Sequence, residues 1–413
     1  MGGYVTPDDR FRSCCNSTVT GRTIGFGLVI GSRSSGVGRR SPRRWVSNRV
    51  VRQVKVVPLT RRSRTSSTRV VLVAALAAAL FSFGGVGPAS ADGPTSTDPV
   101  ASGQLLASVT SPDGSYIEKT EIINGLLYVF VHSAAMDKTF PVLIQRPADT
   151  SEPRPVLYLL NGAGGGEDLA SWQSKTDAMT FLADKNINVV TPIGGKWSYY
   201  ADWKQPDPVL GVNKWKTFLT QELPPLIDAG LGTNGKNAIA GLSTSGTTVL
   251  SLPEAAPGLY QSAAAYSGCA QISDPVGQQF VKLAVETWGG GDTRNMYGAS
   301  NDPMWAANDP YVHAEKLRGL ALYISNGNGL PGPYDTLNGP YALPGPDGLA
   351  NQVVIGGIIE AGTNFCTHNL QTRLNELGIP AHFNLPPVGT HSWGYWQDDL
   401  KDSWPIISAP LGI

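Results

Sequence analysis

The chain has 413 residues with 32 basic and 32 acidic side chains, a formal net charge of zero. That zero is the sum of two unlike parts: residues 1–69 hold fifteen Lys/Arg against Asp8 and Asp9, leaving 17 bases and 30 acids for the remainder. The basic stretch could suggest nucleic acid, but it lies upstream of an export-type segment, which argues against that partner.

In chain order, residues 1–60 are rich in Arg, Ser and Gly without sustained periodicity. They read as a disordered tail or as an over-extended reading frame whose true start is a valine near Val50–Val57. Residues 61–91 place Arg61, Arg62, Arg64 and Arg69 before "VVLVAALAAALFSFGGVG" and then Ala89-Ser90-Ala91. A basic flank, a short apolar core and small residues before Asp92 fit a cleaved secretory signal; an uncleaved anchor is the other reading. Residues 92–110 read as a linker, and 111–413 as one domain long enough to bury a large core.

Within that domain "LLYVFVHS" (126–133) and "FPVLIQRP" (140–147) read as an antiparallel pair. "RPVLYLLNG" (154–162), "INVVTPIGG" (187–195), "NAIAGLS" (237–243), "SAAAYSG" (262–268) and "LALYISNGNG" (320–329) are short apolar runs of the kind buried on both faces of a parallel sheet. Helical spacing appears at 215–230, after Ser243, over 349–378 in one piece or two, and at 392–411; "AHFNLPPVG" (381–389) reads as the last strand. Strands alternating with helices predict an α/β fold, a mainly parallel central sheet with helices on both faces. The Pro/Gly-rich stretch 326–349 is long for a connection and reads as a lid or binding loop.

"NAIAGLSTSGTTVL" puts Ser243 between a strand and a helix, with Gly241 and Ser245 two positions either side. That is the pattern of a nucleophile elbow, where small flanking residues let strand and helix approach; a plain structural turn is the competing reading. A nucleophilic serine needs a base. Of the five histidines, His132 precedes Ser243, and His391 alone lies between the last strand and the closing helix, where it reaches the carboxyl end of the sheet. Eleven carboxylates lie between Ser243 and His391, and chain order does not choose among them; Glu360 stands out as a lone charge in "VVIGGIIEAG". Oxyanion N–H donors are expected from Thr244, next to the serine, and from Ala163 in the glycine-rich loop "GAGGG". That loop lacks the Gly-Lys-Ser/Thr of a phosphate loop, and no Cys/His spacing suits a metal, so no cofactor and no metal are expected. Cys269 and Cys366, the two cysteines of the domain, are either a disulfide or two buried thiols; an exported chain favours the bridge.

"YLLNG", "GGKWSYYADW", "KWKTFLTQELP", "AGLSTSG", "YISNGNG" and "GTHSWGYW" resemble, in the same order over about residues 117–400, segments of the antigen 85-type mycolyltransferases and their corynebacterial-type relatives. The resemblance implies an α/β-hydrolase fold and a secreted, cell-envelope acyltransferase. It moves a mycoloyl group from trehalose monomycolate to a second trehalose monomycolate or to arabinogalactan, as a monomer with no membrane span after signal cleavage. It implies Ser243 as nucleophile, Glu360 as acid and His391 as base, with Ala163 and Thr244 as oxyanion donors. Ser392 and Trp393 would line the sugar site, and Asn161, Gly164 and Gln271 would stand at sugar-contact positions. The best-known members carry Asp where this chain has Asn161 and Arg where it has Gly164. A secreted carboxylesterase and a non-catalytic envelope- or matrix-binding protein are the alternatives.

Overall fold

Nine strands form one sheet in the computed structural model, which describes residues 109–413. The strands are β1 (Tyr116–Ile123), β2 (Leu126–Ser133), β3 (Lys138–Gln145), β4 (Val156–Leu160), β5 (Asn188–Pro192), β6 (Asn237–Leu242), β7 (Ser262–Tyr266), β8 (Ala321–Ser325) and β9 (His382–Asn384). Their order is β1-β2-β3-β5-β4-β6-β7-β8-β9. The first three strands and the β3–β5 pair are antiparallel; from β5 across to β9 every pairing is parallel. The expected tail, signal segment and most of the linker fall outside the described residues.

β4, β5, β6 and β7 are buried at every position, which is why their sequences read as unbroken apolar runs. Alternate residues still serve different faces. Val156, Tyr158 and Leu160 pack with Leu226 and Ile227 of helix α1 (Leu223–Leu231), Val249 and Leu252 of α2 (Thr244–Ala255), and Leu370 and Leu374 of α3 (Gly357–Glu376). Leu157 and Leu159 face the other way, toward Trp172, Leu182 and the Trp396, Leu400 and Ile407 side chains of α4 (Trp393–Ser408). The sheet is thus covered on both faces, as its sequence predicts. A third apolar cluster, built on Trp203, Val281, Val285, Met296, Tyr297 and Trp305, joins the 199–210 loop to the 272–305 segment.

The differences from expectation have physical causes. β1 has no apolar face: only Ile117 of "YIEKTEII" is buried, so hydrophobic periodicity does not reveal it. Its Lys119 and Glu121 suit an edge strand that must not recruit another chain. The last strand shrinks to three residues because Pro386 and Pro387 cannot continue the ladder. The long helix of 349–378 is preceded by Gly345–Asn351 and one π-helical turn, Gln352–Gly356. The 326–344 segment is irregular but fastened: Asn326 N–H bonds Asn384 O, Gly329 N–H bonds Gly389 O, and Gly389 N–H returns to Leu330 O. Among the described residues no helix is long and apolar enough to cross a membrane.

Candidate active site

The carboxyl end of β6 turns into α2 through Ser243, whose φ of 58° and ψ of −123° are those of the first central residue of a type II′ turn, a place that favours glycine. Such strain persists only where neighbours over-determine it. Here Ser243 N–H is tied to Tyr266 O at 2.9 Å, while Ser245 Oγ bonds both Leu242 N–H and Leu242 O at 2.9 Å. A Cβ on Gly241 would stand 2.5 Å from Ser245 Oγ, and one on Gly246 2.7 Å from Tyr266 O. Small residues on both sides of Ser243 are therefore a packing requirement.

His391 Nε2 lies 2.8 Å from Ser243 Oγ, and His391 Nδ1 lies 2.7 Å from Glu360 Oε2. Glu360 is 1% exposed. A carboxylate only accepts, so Nδ1 carries the proton and Nε2 is left to accept from the serine hydroxyl. The other oxygen, Glu360 Oε1, accepts from Ser267 Oγ at 2.7 Å, Asn326 Nδ2 at 2.9 Å and Gly327 N–H at 2.8 Å. Ser267, itself at φ 51°, also accepts from Trp396 Nε1 at 2.9 Å, and the Trp396 ring stands edge-on to His391 with centroids 4.9 Å apart. The cradle for the buried charge thus comes from the ends of β7 and β8 and from α4.

Ser243, Thr244, Ala163 and Gly164 share a cavity of about 230 Å³ with Phe280, Leu283, Trp288 and Ile359. The Ala163 loop is clamped by the strained segment after β5: Trp197 N–H bonds Ala163 O at 2.6 Å and Gly194 N–H bonds Gly165 O at 2.9 Å. Trp197, Tyr199 and Tyr200 all take positive φ there, and Gly165 (φ +63°) has no room for a Cβ, which would sit 2.3 Å from Gly194 O. A second cavity of about 340 Å³ is lined by Ser392, Trp393, Trp396, Trp288, Tyr341 and Ile355. His391 borders both cavities.

Cys269 and Cys366 form a disulfide, joining the segment after β7 to α3 one and a half turns beyond Glu360. Cys269 also lines the first cavity.

Two sequence-derived contacts are placed elsewhere. Asn161 is fully buried, its Oδ1 accepting Trp172 N–H at 3.1 Å, and Gln271 Oε1 accepts from Asn369 Nδ2 at 2.8 Å; neither lines a cavity beside His391. Gly164 does line the first cavity, but the Asp168 carboxylate lies over it, 2.2 Å from where a Cβ would be. Trp172 and Trp203 are core, whereas Trp197 lines the first cavity. Sequence reasoning missed Ser267, Asn326 and Gly327. Their signal was positional: each follows the carboxyl end of a parallel strand, where open α/β sheets gather ligand-binding groups.

The row Ser243–His391–Glu360 can move a proton from a hydroxyl to an imidazole held by a buried carboxylate. Thr244, at the start of α2, and Ala163 line the same cavity as that hydroxyl. Among the described residues no group of three His, Cys, Asp or Glu side chains could hold a metal ion.

Residues 133–406 match the family model described as putative esterase. The chain is 30% identical to the diacylglycerol acyltransferase/mycolyltransferase Ag85A of Mycobacterium ulcerans over 87% of this chain and 97% of that protein. It is 32% identical to the corresponding Ag85B of Mycobacterium avium over 69% of this chain and 83% of that protein. Among solved structures, Mycobacterium tuberculosis MPT51 (FbpC1) superposes with a TM-score of 0.57 at 25% identity, covering 71% of this chain and 98% of that one.

Proposed function

Since the chain belongs to the putative-esterase family and, within it, to the antigen 85-type acyltransferases, we propose that it transfers a mycoloyl or similar long acyl group through an ester on Ser243. His391 Nε2 takes the Ser243 proton as Oγ adds to the ester carbonyl. The tetrahedral oxyanion is held by the N–H groups of Ala163 and Thr244. Its collapse breaks the C–O bond, and His391 returns the proton to the departing sugar oxygen. A second hydroxyl then loses its proton to His391 as it attacks the acyl-enzyme; the bond from Ser243 Oγ to the acyl carbon breaks, and His391 returns the proton to Oγ.

The observation that carries this reading is the position of His391 in the wall of two cavities. One is apolar and contains the serine; the other presents Ser392 and Trp393, a hydroxyl and an aromatic face suited to a sugar. We assign the first to the acyl group and the second to the sugars, with trehalose monomycolate as donor and a second trehalose monomycolate or arabinogalactan as acceptor. The relatives are also named diacylglycerol acyltransferases, so a diacylglycerol hydroxyl belongs to the same acceptor class. The signal-like segment 61–91 and the disulfide support secretion to the cell envelope.

A secreted carboxylesterase is the second reading. Asn161 and Gln271 line neither cavity, so two of the expected sugar contacts are absent from them. Incubation with trehalose monomycolate and identification of all products separates the two. Trehalose dimycolate supports transfer, whereas free mycolic acid alone replaces it with hydrolysis. Ser243→Ala should abolish both products and fluorophosphonate labelling, lowering turnover by about 10⁴-fold or more. A labelled Ser243→Ala protein would remove the acyl-enzyme from the mechanism.

A further inference from the structure

We propose that Asp335, in the Pro/Gly-rich segment between β8 and α3, is a positioning residue that holds the loop carrying His391. The inference rests on the reading of His391 as the base. Asp335 accepts four hydrogen bonds, one from its own loop and three from two other stretches of chain. Its Oδ1 takes Thr390 Oγ1 at 2.5 Å and Gln352 Nε2 at 2.8 Å; its Oδ2 takes Tyr395 Oη at 2.6 Å and Gly332 N–H at 2.8 Å. Two carboxylate oxygens offer about four acceptor sites, so this one is saturated. Bonds to an ionised acceptor are roughly twice as strong as neutral ones.

The four donors identify the role. Thr390 is the residue before His391, Tyr395 sits in the first turn of α4, and Gln352 opens the π-helical turn that leads to Glu360. Thr390 is 1% exposed and Gln352 4%, so neither can exchange Asp335 for water without opening the structure. His391 itself is held less firmly by its backbone: its N–H reaches Gly356 O only at 3.3 Å. The bond that Thr390, the residue next to the base, makes to Asp335 is much shorter than that backbone contact. The fit is close, because a Cβ on Gly332 would stand 2.5 Å from Tyr395 Oη and one on Gly394 2.4 Å from the Tyr334 ring. The segment that the sequence presents as a lid acts here as a strap bolted across the base and the approach to the acid.

The test uses the whole protein and p-nitrophenyl butyrate, which needs no sugar. Thr390→Val deletes the hydroxyl while keeping shape, and Thr390→Ser keeps the hydroxyl. Loss of about an ångström of registry costs up to about a hundredfold. We expect Thr390→Val to lower kcat roughly tenfold with KM within about twofold, and Asp335→Asn to lower it roughly thirtyfold. Thr390→Ser should stay within about twofold of the parent, with both threonine variants fully folded at the assay temperature. The downfield imidazole N–H proton, read by NMR, should be sharp in the parent and Thr390→Ser and broadened in Thr390→Val. Equal losses in Thr390→Ser and Thr390→Val, or an undiminished Thr390→Val, overturn the proposal. Should Asp335→Asn fail to fold, the threonine pair decides alone. A parent protein that neither hydrolyses the ester nor takes a fluorophosphonate would sink the reading of the base. The imidazole resonance would still report whether the strap orders the ring.

Discussion

The two ends of the catalytic row are built in opposite ways. The serine end is local: β6, Ser243 and α2 are consecutive, and the groups that shape the turn, Gly241, Ser245 and Gly246, all lie within three residues of it. The carboxylate end is assembled at long range. Glu360 takes hydrogen bonds from residues 267, 326 and 327, and its helix is covalently tied to Cys269. A local turn tolerates no steric change, because there is nothing between its parts to adjust. An assembled cradle loses its contacts one by one, and each loss is partial.

That contrast can be broken by substitution at each end, starting with the largest effect. Gly241→Ala places a methyl 2.5 Å from Ser245 Oγ and 3.0 Å from Val249 Cγ1. We expect activity to fall about a hundredfold, from a misplaced nucleophile, and stability to fall by about 1–3 kcal/mol. Wild-type ester hydrolysis by a folded Gly241→Ala protein would show that the turn has slack. Opening the disulfide, whose cysteines are 97 residues apart, removes up to about 4–5 kcal/mol of unfolded-state constraint. The melting temperature should drop steeply and activity only several-fold, since Glu360 keeps its hydrogen bonds. An unchanged melting temperature after complete reduction, checked by thiol titration, would deny the bridge any part in holding the acid helix.

Ser267→Ala is a smaller cut. It deprives Glu360 Oε1 of one of three donors and leaves Trp396 Nε1 without its acceptor. The expected cost is about 1–3 kcal/mol in stability and roughly tenfold in kcat. A loss as large as that of Gly241→Ala would mean that the two ends are equally brittle. The smallest effect lies beneath the acid. Asp399, buried in α4, accepts from Tyr323 Oη and Asn384 Nδ2, each at 3.1 Å. Loss of hydration pushes its pKa up to about 7, with the nearby Glu360 charge adding to the rise. An unfolded aspartate titrates near 3.9. The folded form therefore holds the extra proton between these values, and its contribution to stability is complete below about pH 4 and drains away as pH rises through about 7. Asp399→Asn should flatten that decline, so its urea midpoint should change less between pH 5 and pH 8 than the parent's. Parallel declines would place the titration elsewhere.

The same contrast explains what could be read from the chain. The serine turn was visible because its requirements are written in consecutive residues. His391 was visible because chain order and the last strand leave it one useful place. Glu360 stood out as a charge in an apolar stretch, but what stabilises it did not: Ser267 and Asn326 carry no local mark of their partner. β1 was invisible for a different reason. A strand with one buried residue has no period to detect, and only pairing with β2 defines it. The stretch 326–349 was marked as a lid or binding loop by composition, which reports irregular backbone and not whether side chains fasten it; Asp335 does so here.

The Cys269–Cys366 bridge has one more consequence. It closes a covalent ring that contains Asn326, Asp335 and Glu360 and leaves Ser243 and His391 outside. An exposed, irregular part of that ring carries Leu330, Leu337 and Leu343, at 58%, 43% and 41% exposure. A protease that cuts there severs the backbone between β8 and α3 without releasing either piece. Nicked protein should migrate as one species on a denaturing gel and separate into two fragments only when thiol is added.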